Sequence, residues 1–312
     1  MKFLCLINLS SGSRDKEFLR RLNALEHFDI TVAEIDFVKL KEQVAGAGRY
    51  DCVLIGGGDG TASTVLPELS GLDLKVGLLP LGTANDLAKE LGVMRFFNRN
   101  KPETLLNFYL SAKTREFQTW QLCFGRGFKA SRYFCNYLSF GFDALIIREF
   151  ESWRRNSGSR LLKLGRTGNR IGYLKAVARN MTFINKDLFS VRVGESKKDK
   201  FLLKPRSSVI FANIKSFMGL GQSNCQGSPF DSCLELITTN SLLDYGNMFF
   251  SNRLPLFKPK YMGTAECWQI EGVRPSTLLQ VDGEYISGDF SPVCRIQPAG
   301  RVNVLVADSR GR

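Results

Sequence analysis

The chain of 312 residues has a single histidine, His27, and no Cys-x-x-Cys pair. One histidine excludes His-Glu-x-x-His zinc sites and multi-histidine metal sites, so carboxylates must perform any acid–base work. The eight cysteines lie mostly within apolar runs, which predicts reduced, buried thiols in a cytosolic protein. No run of 18 apolar residues occurs, so we expect any membrane contact to be peripheral. The Gly-x-x-x-x-Gly-Lys-Ser/Thr loop and the His-Arg-Asp kinase loop are also absent, which excludes those two nucleotide-binding architectures.

The chain has too few acidic residues to balance its basic ones. Lysine and arginine number 43 and aspartate and glutamate 30, which gives a formal net charge of +13 and a pI of about 9.5. Such a surface favours an anionic partner. Nucleic acid, an anionic membrane and a phosphorylated small molecule all fit, and composition does not distinguish them.

The first third of the sequence alternates short apolar runs with helical patterns. The predicted strands are Phe3–Leu9, Ile30–Ile35, Asp51–Ile55 and Lys75–Leu79, and the predicted helices are Asp15–Leu25 and Val38–Ala47. This βαβα order predicts a parallel sheet covered on both faces, with ligands at the carboxyl ends of its strands. Later apolar and aromatic runs predict an antiparallel β-sandwich, interrupted by one helical stretch near 161–179. We therefore expect two domains, 1–115 and 116–312, with the last strand near 302–306 a candidate to pack back on the first.

The strongest chemical motif follows the third predicted strand. The run from Gly56 to Thr61, Gly-Gly-Gly-Asp-Gly-Thr, joins that strand to a segment that can begin a helix. Residues without side chains let backbone N–H groups approach an anion closely, and a helix N-terminus adds partial positive charge. The motif predicts a phosphate cradle in which Asp59 holds or orients Mg²⁺ and Thr61 caps the helix or binds a phosphate oxygen. A tight glycine turn without chemistry is the alternative.

A second loop follows the fourth predicted strand. Residues 79–92 are Leu-Pro-Leu-Gly-Thr-Ala-Asn-Asp-Leu-Ala-Lys-Glu-Leu-Gly, which predicts a turn followed by a short helix capped by Asn85 or Asp86. Thr83 and Asn85 would stand at the same edge of the sheet as Asp59. A capped connection without a ligand fits these residues equally well.

Two other segments carry less information on their own. An apolar strand ends in Asp282-Gly283-Glu284, which by itself is a common hairpin signal. Phe124–Ala130 fits the Gly-x-Gly-x-x-Ala pattern of dinucleotide sites, but a strand-like run and not a helix follows it. We therefore predict a hairpin turn at this second segment and no dinucleotide site.

Taken together, the motifs are more specific than any one of them. The Gly-Gly-Gly-Asp-Gly-Thr loop, the Pro-Leu-Gly-Thr-Ala-Asn-Asp-Leu-Ala loop, Gly-Phe-Asp-Ala at 141–144 and Asp-Gly-Glu at 282–284 follow one another in the order typical of the diacylglycerol kinase catalytic family. The chain resembles that family, including its bacterial lipid-kinase branch, over nearly its whole length. The resemblance implies an α/β nucleotide-binding domain related to those of NAD kinases and phosphofructokinases, and a β-sandwich domain that contributes to the lipid site.

The resemblance also implies roles for individual residues. Residues 8–12 match an Asn-Pro-x-Ser-Gly nucleotide motif, with Leu9 in place of the proline. The implied ATP contacts are Asn8, Ser10, Gly12, Gly57, Gly58, Asp59, Gly60, Thr61, Ala62, Ser63, Thr83 and Asn85. Glu284 matches the carboxylate proposed in the family as proton acceptor, with Asp143 and Asp59 in the same Mg²⁺-linked network. Catalytic roles are therefore expected for these three acidic residues.

A structural Mg²⁺ is implied by the segment 228–234, Ser-Pro-Phe-Asp-Ser-Cys-Leu. It falls where bacterial members carry an Asp-Asp-Gly-Leu-Leu type loop, in which an aspartate and nearby carbonyl groups hold the ion. With the phosphate loop included, the implied metal ligands are Asp59, Asp231, Ser228 and Cys233. Two departures weaken the match, because Ser232 replaces the usual glycine and Ser63-Thr64 replaces the usual Asn-Glu after the phosphate loop.

Much of the positive charge is local. Residues 148–179 contain nine basic residues against two acidic ones, accompanied by Phe150 and Trp153, and a second basic and aromatic stretch covers 249–261. Basic residues near an anionic leaflet contribute roughly 1 kcal/mol each, and aromatic side chains insert at the interface. We expect a membrane-docking face beside the lipid site, with a solvated charged helix and loop as the alternative.

The resemblance implies an ATP- and Mg²⁺-dependent lipid kinase that phosphorylates a hydroxyl of diacylglycerol or a related membrane lipid, giving phosphatidic acid or an analogue. We expect a cytoplasmic protein, peripheral at the inner face of a membrane, that binds a membrane lipid and an anionic membrane surface but no nucleic acid. The oligomeric state stays open, a homodimer included. The alternatives are a soluble kinase of the NAD kinase type, a sphingosine or ceramide kinase, and a basic binding module whose nucleotide site is vestigial.

Overall fold

A computed structural model describes residues 1–10, 16–156, 166–194, 200–204, 207–219, 221–249, 256–288 and 290–307. The chain divides into two compact units, Met1–Thr119 with Ala299–Arg312 and Trp120–Pro298. The strands are β1 (Lys2–Ile7), β2 (Asp29–Glu34), β3 (Cys52–Gly57), β4 (Lys75–Pro80), β5 (Lys113–Phe124), β6 (Ala130–Phe134), β7 (Tyr137–Gly141), β8 (Phe189–Val193), β9 (Lys200–Leu203), β10 (Ser208–Ala212), β11 (Ser216–Phe217), β12 (Gly221–Gln222), β13 (Leu234–Thr239), β14 (Lys260–Ala265), β15 (Trp268–Glu271), β16 (Leu279–Val281), β17 (Glu284–Ile286) and β18 (Val293–Val306). The α-helices are α1 (Lys16–Asn23), α2 (Leu40–Ala45), α3 (Asp59–Glu68), α4 (Asp86–Glu90), α5 (Pro102–Ser111), α6 (Phe142–Asn156), α7 (Arg166–Arg179) and α8 (Leu242–Phe249). Within these described ranges no helix is long and apolar enough to cross a bilayer.

The first unit is built on a parallel sheet. Its strand order is β2-β1-β3-β4, and the C-terminal part of β18 pairs with β4 in parallel. Every residue of β3 is buried, as a parallel strand covered on both faces requires. The predicted βαβα order is confirmed, because its strands and helices lie within two residues of the expected positions. The strands β1, β3 and β4 all end at one edge of the sheet, which places their following loops together.

The second unit is an antiparallel β-sandwich, as predicted. One sheet has the order β14-β13-β10-β7-β16-β17, and the other contains β5, β6, β8, β9, β15 and the N-terminal part of β18. Aromatic side chains join the two sheets, with ring centroids 5.3 Å apart for Phe140 and Phe189 and 5.8 Å apart for Phe211 and Trp268. Full burial of such a side chain contributes roughly 1.5 to 3 kcal/mol, so this seam holds the sandwich together.

The helices of the second unit differ from the prediction. The single helical stretch expected near 161–179 is partly described as α7, while residues 157–165 lie outside the described part. Helix α6 precedes it and begins in the Gly-Phe-Asp-Ala motif, and α8 was not predicted. The apolar run from Ala144 to Ile147 hides the start of α6, because periodicity does not distinguish a short apolar run in a buried helix from one in a buried strand.

The segment 124–130 forms the predicted hairpin connection. Strands β5 and β6 pair antiparallel across it, and Gly125 and Gly127 have φ values of 76° and 67°. These glycines satisfy a turn that needs the left-handed region. No helix follows, so the dinucleotide interpretation is excluded here.

Candidate functional site

Loops from three strands of the first unit come together at the carboxyl edge of its sheet. Asn8 Nδ2 donates to Thr61 Oγ1 at 2.9 Å, and Asn8 Oδ1 accepts the N–H of Ser10 at 2.9 Å. The N–H of Gly82 donates to the carbonyl oxygen of Gly57 at 3.0 Å. The structure thus brings the first, third and fourth strand loops side by side.

The glycines of these loops permit a very close approach. A Cβ on Gly82 would lie 2.4 Å from Cα of Gly58, and a Cβ on Gly57 would lie 2.5 Å from Thr61 Oγ1. Helix α3 begins at Asp59, and the first N–H groups of a helix have no acceptor within it. The result is a narrow cradle with few side chains at a positively polarised helix end, which suits a phosphate group.

Asp59 connects the glycine loop to the helix after β4. Its carboxylate accepts the N–H of Asp86 at 3.0 Å and the N–H of Leu87 at 2.9 Å, so it caps α4. Asn85 stands at the N-cap position of α4, as predicted, but it has a φ of 54° and its side chain makes no capping bond, so Asp59 caps the helix in its place. Asp59 therefore fixes two loops to each other. Carboxylate oxygens carry two lone pairs each, so these bonds are compatible with an additional contact to a hydrated Mg²⁺.

Asn85 carries a buried acceptor that lacks a partner. Its Nδ2 donates to the carbonyl oxygens of Pro80 at 3.2 Å and Gly82 at 2.9 Å, which fixes the orientation of the amide. In the part of the chain that the structure describes, no donor reaches Asn85 Oδ1. Together with Gly58 and Asp59, Asn85 lines a small cavity between the two loops. An unsatisfied buried acceptor costs about 1 to 3 kcal/mol, so a ligand hydroxyl or a water that donates here would be favoured.

The remaining predicted nucleotide residues have mixed placements. Gly58 stands at the N-cap of α3, so the prediction that Thr61 caps this helix is wrong. Thr83 is exposed in its loop, whereas Ala62 and Ser63 are buried. The Ser63 hydroxyl donates to the Asp59 carbonyl oxygen at 2.9 Å, a bond within α3. The side chain of Ser63 is therefore satisfied within α3. Gly12 lies outside the described residues.

Asp143 lies at the N-terminus of α6 in the second unit and is fully enclosed. Its carboxylate accepts hydrogen bonds from the hydroxyls of Ser139 and Ser208, the latter at 2.9 Å, and Gln280 Nε2 lies 3.4 Å away. Burial raises the pKa of Asp143, and hydrogen bonds from the two serines oppose that rise. The side chain has no solvent-exposed surface, which favours a supporting role for it over direct contact with a substrate.

Glu284 begins β17 and is exposed. Desolvation by the surrounding protein and the negative charge of Glu151 raise its pKa, while Arg132 lowers it. Glu151 belongs to α6 and accepts the N–H of Tyr285 at 3.1 Å, so this second carboxylate is held beside β17. An accessible carboxylate with a raised pKa is suited to accept a proton near neutral pH. Neither Glu151 nor Arg132 was predicted as part of this site, because both come from segments remote in sequence from the Asp-Gly-Glu motif.

Asp282 anchors the hairpin that carries Glu284. Its carboxylate accepts the N–H groups of Cys135 at 2.7 Å, Asn136 at 3.0 Å and Tyr137 at 2.9 Å. Asp282 and the following glycine have φ values of 46° and 82°, as a two-residue hairpin turn with both central residues in the left-handed region requires. The predicted hairpin is thus confirmed, and its aspartate ties the turn to the β6–β7 connection.

In the segment expected to hold a structural Mg²⁺, the aspartate side chain forms hydrogen bonds with the backbone of the same segment. The Asp231 carboxylate accepts the N–H of Ser228 at 2.9 Å and the N–H of Cys233 at 3.0 Å. Among the residues with described positions, no group of three or more His, Cys, Asp or Glu side chains could hold a metal ion. Mg²⁺ prefers several oxygen ligands, and here both oxygens of the Asp231 carboxylate already accept backbone N–H groups. The structure lends no support to a metal site formed by Asp231, Ser228 and Cys233.

The described residues of the basic segment 148–179 lie in α6 and α7, which pack together. A Cβ on Gly172 would lie 2.4 Å from Cζ3 of Trp153, and the Phe150 ring stacks on Trp153 at 5.9 Å. These two aromatic side chains are therefore half-buried between helices, and the expectation that they insert into a membrane is not supported. Arg154 and Arg155 are exposed. The residues 157–165 and 250–255, which include part of both predicted docking segments, lie outside the described part.

Comparison with known families gives two adjacent matches. The diacylglycerol kinase catalytic domain matches residues 2–122, and the diacylglycerol kinase accessory domain matches residues 133–285. Diacylglycerol kinase 1 of Arabidopsis thaliana is 27% identical over 308 residues, which cover 90% of this chain and 41% of that protein. A diacylglycerol kinase of Mycobacterium tuberculosis is 29% identical over 127 residues, 39% of each chain. The chain thus spans about two fifths of the length of these curated relatives.

Solved structures show the same fold at low identity. A crystal structure of a diacylglycerol kinase from Bacillus anthracis str. Sterne has a TM-score of 0.66 and 16% identity, with 99% of this chain and 98% of that chain covered. Yeast NADH kinase complexed with NADH has a TM-score of 0.54 and 11% identity, with 99% and 84% covered. At these identities the matches show the fold alone.

Proposed function

The chain belongs to the diacylglycerol kinase catalytic-domain family, and from this membership we propose that it is a lipid kinase that transfers the γ-phosphoryl group of ATP to a hydroxyl of diacylglycerol or a related membrane lipid. The observation that carries the proposal is the meeting of three strand loops around a glycine cradle in the first unit. The product with diacylglycerol would be phosphatidic acid.

The first unit would hold the nucleotide. The N–H groups at the start of α3 and the glycines on both sides of the cradle suit the phosphates, and Asn8 holds Thr61 in place beside them. The unpartnered Asn85 Oδ1 suits a donor such as a nucleotide hydroxyl or a bound water. Asp59 positions this machinery, because its carboxylate ties the start of α4 to the glycine loop. The contacts implied for Ser10, Gly12 and Thr83 are part of the same proposal.

Mg²⁺ would accompany the nucleotide and neutralise charge on the transferring phosphoryl group. Among the described residues of the first unit, we assign the contact with the hydrated ion to Asp59, whose carboxylate lies in the glycine loop. Its carboxylate already has two backbone donors, which limits it to a contact that leaves those bonds in place. A second, structural ion at Asp231 is not proposed.

The second unit would supply the proton acceptor. Glu284 is exposed and has a raised pKa, so it can take the proton of the lipid hydroxyl as the oxygen attacks phosphorus. Phosphoryl transfer depends mainly on positioning and electrostatics, so one weak base suffices. Asp282 and Asp143 would act at a distance, since the first anchors the Glu284 hairpin and the second supports the start of α6.

The lipid substrate places the enzyme at a membrane surface. We propose peripheral binding at the cytoplasmic face, with the exposed basic residues Arg154, Arg155, Lys175 and Arg179 attracted to anionic lipids. We prefer a membrane partner over a nucleic-acid partner for these basic residues. They cluster within the half of the chain that matches the accessory domain.

A substrate panel tests the proposed function. Labelled ATP is incubated with mixed micelles of diacylglycerol, ceramide, sphingosine, monoacylglycerol or phosphatidylglycerol, and in parallel with soluble NAD. Transfer to diacylglycerol is the expected result. Transfer to NAD alone would favour a soluble NAD kinase, and transfer to ceramide or sphingosine would name another lipid. Absence of any turnover, with vesicle binding retained, would favour a binding module with a vestigial nucleotide site.

A further inference from the structure

Helix α7 and the turn after it expose a run of large apolar side chains. The exposed fractions are 41% for Ile171, 65% for Leu174, 65% for Met181 and 61% for Ile184. Isolated exposed apolar residues are ordinary, but several along one short segment mark an interaction surface. The backbone keeps turning beyond the helix, with the N–H of Phe183 donating to the carbonyl oxygen of Asn180 at 2.9 Å. We call Ile171, Leu174, Met181 and Ile184 the apolar strip.

The opposite side of α7 faces the protein. Gly172 packs against Trp153, and Ala176 is buried. The Tyr173 hydroxyl lies 2.7 Å from the hydroxyl of Tyr245, which ties α7 to α8. Because one side of the helix is fixed in this way, Ile171 and Leu174 are held outward, and the exposure of Met181 and Ile184 extends the apolar strip beyond the end of the helix.

Basic side chains border the apolar strip. At about 3.6 residues per turn, Ile171, Leu174 and Ala178 fall on one half of the exposed arc of α7, and Lys175 and Arg179 fall on the other half. A helix with one apolar and one basic sector outside the protein core is typical of segments that lie in a membrane interface. A second copy of this chain would bring the same cations together, which disfavours self-association through this surface.

We propose that the apolar strip inserts into the headgroup and acyl-chain boundary of an anionic bilayer, while Lys175 and Arg179 contact the lipid phosphates. This inference rests on the proposed function for the presence of a membrane substrate, and it adds the element that enters the membrane. The inserting side chains are therefore those of α7 and the following turn. Phe150 and Trp153, which were expected from the sequence to insert, pack between helices instead. Two of the inserting residues, Met181 and Ile184, lie beyond the basic segment.

Vesicle flotation without ATP tests the proposal on the full chain. The vesicles contain phosphatidylcholine with or without phosphatidylglycerol. The apolar variant is Leu174→Ser with Met181→Ser, and the charge variant is Lys175→Glu with Arg179→Glu. The control is Leu202→Ser on β9, because Leu202 is 69% exposed and lies outside the strip. Size-exclusion chromatography of each protein reports on self-association, and near-ultraviolet circular dichroism reports on packing.

The apolar variant is expected to bind anionic vesicles about tenfold more weakly or worse, because two inserting side chains become polar. The charge variant should lose the dependence on phosphatidylglycerol and on salt. Leu202→Ser should bind like the wild type. Vesicle binding of the apolar variant equal to that of the wild type would overturn the proposal. A wild-type dimer that this variant converts to a monomer would also overturn it, because the strip would then be a protein interface.

Kinase assays separate this inference from the proposed function. With a short-chain diacylglycerol dissolved below its micellar concentration, the apolar variant should retain wild-type turnover, whereas with vesicles it should lose turnover in proportion to binding. Equal losses with both forms of substrate would contradict a role in membrane insertion. If the wild type binds vesicles but phosphorylates none of the lipids, the proposed function fails while the insertion surface stands.

Discussion

Replacement of Asp282 by asparagine should lower the free energy of unfolding of the second unit strongly, although the two side chains have almost the same shape. The carboxylate is buried and accepts three backbone N–H groups, from Cys135, Asn136 and Tyr137. The side-chain oxygen of asparagine can still accept the two N–H groups, from Asn136 and Tyr137, that bind Oδ1 of Asp282. Its amide group would face the N–H of Cys135, donor against donor. Asparagine also tolerates the φ of 46° at this position, so the turn itself is not strained.

The magnitude follows from these contacts. A hydrogen bond to a charged group contributes about 1.5 to 3 kcal/mol, and a buried donor left unsatisfied costs about 1 to 3 kcal/mol. One lost bond and two weakened ones give an expected decrease of about 2 to 4 kcal/mol in the free energy of unfolding. Urea denaturation followed by tryptophan fluorescence measures it selectively, because Trp120, Trp153 and Trp268 are the three tryptophans of the chain and all lie in the second unit.

Asp244→Asn is the matched control for this measurement. The Asp244 carboxylate accepts the N–H of Asn240 at 3.0 Å and the N–H of Ser241 at 3.1 Å, but its side chain is only half-buried at the start of α8. Water can replace what the amide loses there, so a change below about 1 kcal/mol is expected. Equal unfolding midpoints for Asp282→Asn and Asp244→Asn would refute the reasoning.

Three further predictions concern the two candidate sites. Glu151→Gln removes a negative charge beside Glu284, so the acidic limb of the pH–activity profile should move to lower pH, and an unmoved limb would contradict the coupling. Gly82→Ala should abolish nucleotide binding in a calorimetric titration, because its Cβ would lie 2.4 Å from backbone Cα of Gly58; wild-type affinity would show that the loops do not form the cradle. The raised pKa of Asp143 means that its protonated form favours the fold, so stability attributable to it is lost as pH rises through that pKa. Asp143→Asn should flatten this loss in melting temperature, measured upward from about pH 4, the ordinary pKa of an aspartate, and parallel curves for variant and wild type would contradict the assignment.

Local patterns were sufficient to predict the parallel sheet and the hairpins. Strands such as β3 are buried on both faces and are therefore continuous apolar runs, and glycines mark the turns after them. The hairpin at Asp282-Gly283 follows from the same kind of signal, since few residue pairs accept two left-handed positions in succession. Helix α6 was not predicted because its first turns, apart from Asp143, are apolar and buried and therefore resemble a buried strand.

Long-range contacts were not predictable in this way. The carboxylate of Asp59 caps a helix that begins 27 residues later, and no periodicity links the two segments. Asp282 binds backbone groups 145 to 147 residues away, and Glu151 approaches Glu284 only through the packing of α6 on β17. A sequence motif identifies such carboxylates as candidates for catalysis or metal binding. Only the folded chain shows which of them support the backbone and which one, Glu284, remains exposed.

The most direct test of the account is phosphoryl transfer by Glu284→Gln. Labelled ATP and diacylglycerol micelles measure turnover, and calorimetry measures ATP affinity in the same preparations. We expect unchanged ATP affinity and a turnover lower by about 10² to 10⁴-fold, because loss of a general base typically has an effect of this size. Glu271→Gln, which removes the partner of Arg192 in the other sheet of the sandwich, should keep full turnover. Wild-type turnover in Glu284→Gln would contradict the assignment of this carboxylate as proton acceptor.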